Sequence, residues 1–120
     1  MYRIILFTIA AGFKFLTYDG NNYLDWSLQV KAILMDQQLW EIVEEADGPP
    51  KAENDEAAFK AWSHKNAIVL GVIQYSCQTH FNFAIEKTTS AKLAWDTLAV
   101  IWALHKSKLH RYLYIQTFLM

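Results

Sequence analysis

A chain of 120 residues with 53% hydrophobic and 19% charged side chains has the composition of one folded domain, not of a disordered segment. Its formal net charge of −1 offers no global positive field to draw in nucleic acid. The single cysteine, Cys77, excludes an internal disulfide and any multi-cysteine zinc site, and reads as a small buried hydrophobe in a reducing compartment.

A domain of this size buries about two-thirds of its unfolded surface. Aromatics make up 15% of it, with five Trp, which is more ring area than so small a core hides. An apolar patch is therefore expected outside, and such patches mark association sites.

In chain order, Arg3 precedes an apolar run from Ile4 to Phe13, too short to span a bilayer. Its basic start, apolar middle and small Ala10, Ala11 and Gly12 have the outline of a weak signal peptide. A buried strand or helical turn, or sequence read from a misplaced start codon, are the alternatives. Residues 1–14 are set aside as an extension, and 15–120 as the domain. Phe13 to Thr17 alternates only partly and reads as a short extended lead-in.

Asp19-Gly20-Asn21-Asn22 collects residues that favour turns. After it, Tyr23, Trp26, Val30, Ile33 and Leu34 recur at spacings of three and four, predicting a helix from about Asn22 to Asp36. Asn22 is the expected N-cap, with Asp25 in the first turn where the helix dipole favours it. A short helix is expected from about Gln38 to Glu45, with Leu39, Trp40 and Val43 on one side and glutamates facing water. Gly48-Pro49-Pro50 ends it, and 47–52 reads as a surface loop.

A third helix of about twenty residues is expected from near Asn54, with Ala58, Phe59, Trp62, Val69, Val72 and Ile73 at helical spacing. Gly71 inside it costs about 1 kcal/mol against Ala, so it is expected to mark a close helix crossing. The run from Ala67 to Ile73 is apolar all round and should be the most buried part. Gln78 to Glu86 reads as a weaker helix with Phe81 and Ile85. Lys87 to Ser90 is a loop ending in an N-cap. Ala91, Ala94, Trp95, Leu98, Ile101 and Trp102 form the stripe of the next helix, and a last helix is expected from near Ser107. The pattern is all-α, a compact bundle of five or six helices.

No arrangement for catalysis is legible. His64, His80, His105 and His110 have no metal-ligand spacing, and no glycine-rich phosphate loop occurs. Ser63 and His64 are neighbours on a helix, so their side chains diverge by about 100°. The acidic residues between Glu41 and Glu56 read as solvated surface. The one basic region, His105 to Arg111 followed by Tyr112 and Tyr114, interleaves cations with aromatics as single-strand binders do. Lys106, Lys108 and Arg111 are the candidate nucleic-acid contacts, but three fixed charges neutralise few phosphates and give weak, salt-sensitive binding.

Several motifs fall in the order found in the Gag of copia-type LTR retrotransposons. Asn22-Tyr23 with Trp26 resembles the opening "NY..W", and Leu39-Trp40 with Val43 resembles "LW..V". An acidic, proline-containing spacer and Trp62 follow. Ala67 to Ile73 is similar to the "A…I..S" helix, with Ser76 as its serine. Thr89 to Leu98 resembles "TA.EAW..L", and Ser107 to Leu113 resembles "SK.R...L". Leu93 stands where Glu is frequent, so the capping box is not closed. Trp102 stands where Tyr is common. The C-x2-C-x4-H-x4-C knuckle of the family does not occur in these residues.

The resemblance implies a fold like the N-terminal lobe of a retroviral-type capsid. It implies a non-enzymatic Gag fragment that associates with itself or related Gag chains. No cofactor, small-molecule substrate or membrane is implied, and the location expected is cytoplasmic, with secretion the alternative. Weak RNA binding through the basic helix, and a decayed element fragment without function, are the competing readings. Tyr23, Trp26, Trp40, Trp62, Trp95 and Trp102 are the residues expected to matter, most of them as core anchors.

Overall fold

The turn at Asp19 is built by its own side chains. In the computed structural model, whose described residues are 17–44, 48–77 and 83–119, Asn21 N–H donates to Asp19 Oδ1 at 2.9 Å. Asp19 N–H donates to Asn22 Oδ1 at 3.0 Å, and Asn22 Nδ2 to the Thr17 carbonyl at 2.9 Å. Gly20, at φ 93°, supplies the left-handed residue. Asn22 does occupy the N-cap of α1 (Tyr23–Asp36), but its side chain is committed to the turn and makes no cap hydrogen bond. Only its backbone carbonyl joins the helix, accepting from Trp26 N–H at 2.9 Å.

Helix α1 buries Trp26, Val30 and Leu34, one every fourth residue. It stops at Gln37 and Gln38, and Gln38 takes φ 60°, an uncommon place for a side chain. Leu39 N–H then reaches back to the Leu34 carbonyl at 2.7 Å, closing the helix end without a glycine. This break shortens the helix expected over 38–45 to a single turn, α2 (Glu41–Glu44), with Leu39, Ile42 and Val43 buried.

Helix α3 (Glu56–Tyr75) begins after Asp55 rather than at Asn54. Asp55 is extended and accepts Ala58 N–H at 3.0 Å, so it caps the helix instead of sitting in its first turn. Asn66, Val69, Val72 and Ile73 face the core. Ala67 and Gly71 are exposed, so the apolar run is covered on one side only. A Cβ at Gly71 would meet nothing within 4 Å, and no described helix crosses there. An isolated parallel bridge joins Tyr18 to Cys77, with Tyr18 N–H donating to the Ser76 carbonyl at 2.7 Å.

Residues 83–85 form one helical turn whose Ile85 is fully buried. The N-terminal extension, Phe13 to Leu16, and the segment 78–82 with Phe81 lie outside the described residues.

Ser90 then caps α4 (Ala91–Leu119), accepting Leu93 N–H at 3.2 Å. This is one helix of 29 residues where two were expected, because no Gly or Pro interrupts it and Ser107 sits exposed in its middle. At 1.5 Å per residue it is about 43 Å long. Among the described side chains, those that meet the core lie near its start: Ala91, Ala94 and Leu98 are buried, and Trp95, Ile101 and Trp102 are half-buried. Every described side chain from Ala103 onward is exposed. Each named element is a helix, and the protein is all-α.

Because Gly71 is an exposed helical residue with open space beside it, Gly71→Ala is expected to stabilise the protein by about 1 kcal/mol in chemical denaturation. A destabilised variant would show that a neighbour does approach it.

Candidate functional site

Five of the six aromatics singled out from the sequence meet in one stack. The Trp26 ring lies between Tyr18 (centroids 5.2 Å, planes at 29°) and Trp95 (5.5 Å, 28°). Trp40 closes on Trp95 edge-to-face at 5.4 Å, and Lys31 Nζ sits 5.1 Å from the Trp40 centroid as its cationic lid. A branch runs from Tyr23 to Trp102 at 5.9 Å and on to His105 at 6.0 Å. The stack therefore ties the turn before α1, α1 itself, the segment before α2, and α4. Trp26 and Tyr18 are fully buried, and Tyr23, Trp40, Trp95 and Trp102 keep an edge at the surface.

Two polar side chains fix this arrangement. Trp26 Nε1 donates to Ser76 Oγ at 3.0 Å, and Ser76 Oγ donates in turn to the Ile73 carbonyl at 3.1 Å. Asn66 bridges α3 to the start of α4: its Nδ2 donates to the Thr89 carbonyl at 2.7 Å, and its Oδ1 accepts Ala91 N–H at 2.8 Å. A buried amide satisfied at both ends holds two helices in one register. Sequence reading reached Ser76 only through the resemblance and missed Asn66 and Tyr18. Asn66 follows Ser63-His64-Lys65 and Tyr18 lies between Thr17 and Asp19, so neither is set apart by its neighbours in sequence.

Burial also sets the protonation of the groups beside the stack. It pushes the Cys77 thiol up to about 12 from 9.0, so the thiol is inert, as expected of a buried hydrophobe. Desolvation likewise raises Tyr18 and Tyr23, with the Asp96 charge adding to the effect at Tyr23.

Trp62, the sixth aromatic, stands apart. It stacks on Phe59 at 6.3 Å and lines an open groove of about 490 Å³ between α2 and α3. Ile42, Ala58 and Ala61 share its floor, and Glu41 and Glu44 stand at the rim, where Lys65 Nζ donates to Glu41 Oε1 at 3.1 Å. Its indole N–H is buried with no acceptor among the described residues.

The basic residues lie elsewhere again. Lys106, Lys108 and Arg111 are all exposed on the free end of α4. Lys108 and Arg111 are three apart and share a face, whereas Lys106 points to the other side. The three do not form a single track for a phosphate backbone.

The same helix end exposes Leu104 and Ile115 at 59% and 49%, and Leu93 and Val100 extend this apolar stripe toward the core, while Leu113, 54% exposed, lies on the opposite side. On α1, Leu24, Leu28 and Met35 are exposed at spacings of four and seven, forming an outward stripe opposite the buried one. These surface stripes are aliphatic, and among the described rings Phe83 and Tyr75 are also exposed.

Removing the ring at the centre of the stack, Trp95→Ala, is expected to cost about 3 kcal/mol in chemical denaturation, and a loss under about 1 kcal/mol would remove it from the core. Ser76→Ala, which strands the buried indole N–H, should cost about 2 kcal/mol. For Cys77, the raised pKa favours the folded state wherever the thiol is protonated. That contribution is complete below pH 9 and is lost as pH climbs toward about 12, so stability should fall with rising pH in this window and fall less in Cys77→Ala.

Residues 30–120 match the family model described as the gag-polypeptide of LTR copia-type. The matched span starts within α1, so it takes in Trp40, the Ser90 cap and Trp95, and leaves out the turn and the Tyr23–Trp26 opening. No curated protein and no solved structure matches the chain. Across three-quarters of its length, through the groove, the clamp at Asn66 and the whole of α4, the chain belongs to the copia-type LTR gag-polypeptide family.

Proposed function

We propose that this Gag fragment works by self-association, as a non-enzymatic capsid-like domain whose partner is another copy or a related Gag chain. Gag is a structural part of its polyprotein. The observation that carries the proposal is the exposure of aliphatic side chains in helical stripes, on α1 at Leu24, Leu28 and Met35 and on α4 at Leu93, Val100, Leu104 and Ile115. Helix α1 needs only one apolar face to join its own core, yet it carries two. A second apolar face on a surface helix gains free energy, roughly 25 cal/mol per Å² before association costs, only by meeting another surface.

The polar groups inside the domain support the same reading. Asn66 and Ser76 are consumed by bonds that hold helices together, and Cys77 is protonated and enclosed. Among the described residues no group of three or more His, Cys, Asp or Glu converges on a metal position. Among the described residues no helix is long and apolar enough to cross a membrane. The place of action we propose is the cytoplasm.

RNA binding through the basic helix is the weaker reading, since Lys106 diverges from Lys108 and Arg111. Light scattering across a concentration series from micromolar to millimolar is expected to show mass rising above that of the 13.9 kDa monomer. The rise should weaken in Leu104→Ser/Ile115→Ser, whose exposed side chains lie outside the domain's own core. A constant monomer mass at every concentration would end the proposal.

A further inference from the structure

We infer that the copies join head to tail, the free end of α4 in one lying in the Trp62 groove of the next. The inference rests on the self-association reading and assigns it a surface on each side.

On the donor side, Leu104, Lys108, Arg111 and Ile115 follow one another at four, three and four residues, which places them on a single face of α4. All four are exposed, so this face is greasy at both ends and doubly positive in the middle. No Asp or Glu occurs after Asp96, and nothing on the helix neutralises these cations.

On the acceptor side, the groove has an apolar floor of Ile42, Ala58, Ala61 and Trp62 beneath the Glu41 and Glu44 carboxylates. Phe59, stacked on Trp62, also lines the adjoining hollow beside Glu53. Glu41 is tied to Lys65, but Glu44 and Glu53 enter no described ion pair. Seven acids, Glu41, Glu44, Glu45, Asp47, Glu53, Asp55 and Glu56, fall in this stretch against the one cation Lys51.

The two surfaces match in chemistry, and Leu104, Lys108, Arg111 and Ile115 are all exposed, so within one copy this face of α4 is left uncovered. Charge decides the arrangement between copies. Two free ends laid side by side would set Lys108 and Arg111 against their own duplicates, and a free end on the groove sets them against Glu44 and Glu53. Such a contact uses a different patch on each copy, so it propagates into a ring or an open chain instead of closing a two-fold dimer. One helix in one groove is a small interface, so each joint is weak and loosens with salt.

The test uses three variants of the full chain: Lys108→Glu/Arg111→Glu on the helix, Glu44→Lys/Glu53→Lys at the groove, and Lys106→Glu as the off-face control. All these positions are exposed, and circular dichroism checks that each variant keeps its helix content. In sedimentation, the helix and groove variants alone are each expected to associate at least about tenfold more weakly than the unaltered chain. Mixed together, they should recover a 1:1 complex, because one retains a good groove and the other a good helix end. Lys106→Glu should behave as the unaltered chain. If the unaltered chain never associates, the self-association reading fails and takes this inference with it. If it associates but the mixture recovers nothing, or the variants associate normally, the head-to-tail joint alone is overturned. If the helix variant loses binding to a single-stranded oligoribonucleotide while still associating, the basic face serves RNA and the joint is likewise overturned.

Discussion

The hydrogen bond from the Trp26 indole to Ser76 is the constraint on which the rest of the fold depends. A buried indole must find an acceptor, and a hydroxyl at the C-cap of α3 provides it at 3.0 Å. That bond fixes the plane of the ring, and the plane decides what can stack on its two faces. Tyr18 takes one face and Trp95 the other, so the chain before α1 and the second turn of α4 are both placed by the same side chain. The Tyr18 bridge to Cys77 then closes the loop, because residues 76 and 77 hold both the ring and the segment that covers it.

Asn66 sets a second, independent constraint. It replaces hydrogen bonds that the ends of secondary elements otherwise leave open, the Thr89 carbonyl and the Ala91 N–H. Helix α4 is therefore anchored at its first residue and braced by rings over its next three turns. The described side chains of the remainder are exposed, and it stays helical because nothing in its sequence breaks it.

The helices were legible because their apolar residues recur at three and four, and Asp36, Tyr75 and Ala91 stand within a residue or so of the expected limits. What was not legible came from competition between equally good local choices. Asn22 had the right side chain for a cap, but the Asp19 turn claimed it. Asp55 could serve in the first turn or as the cap, and the cap satisfies an otherwise open N–H. Ser107 looked like a helix start, but on an exposed face without Gly or Pro a serine interrupts nothing. Gln38 carries no sign in its identity that it will take a positive φ; the reach of Leu39 back to Leu34 imposes it. Of the six rings singled out, Trp26 is fully buried and the other five are half-buried. The aliphatic stripes on α1 and α4 were passed over, because spacing alone does not say which of two apolar faces the core will take.

The unbroken run of α4 has a mechanical consequence. With no glycine or proline along its 29 residues, the helix is a rod whose root is wedged among indole rings and whose tip reaches solvent. A rod wedged at one end acts as a lever. Small rotations of Trp95 within the stack swing the tip through a much longer arc, and force applied at the tip returns, magnified, to the rings. The angle at which the tip leaves the domain is therefore fixed far from the tip itself.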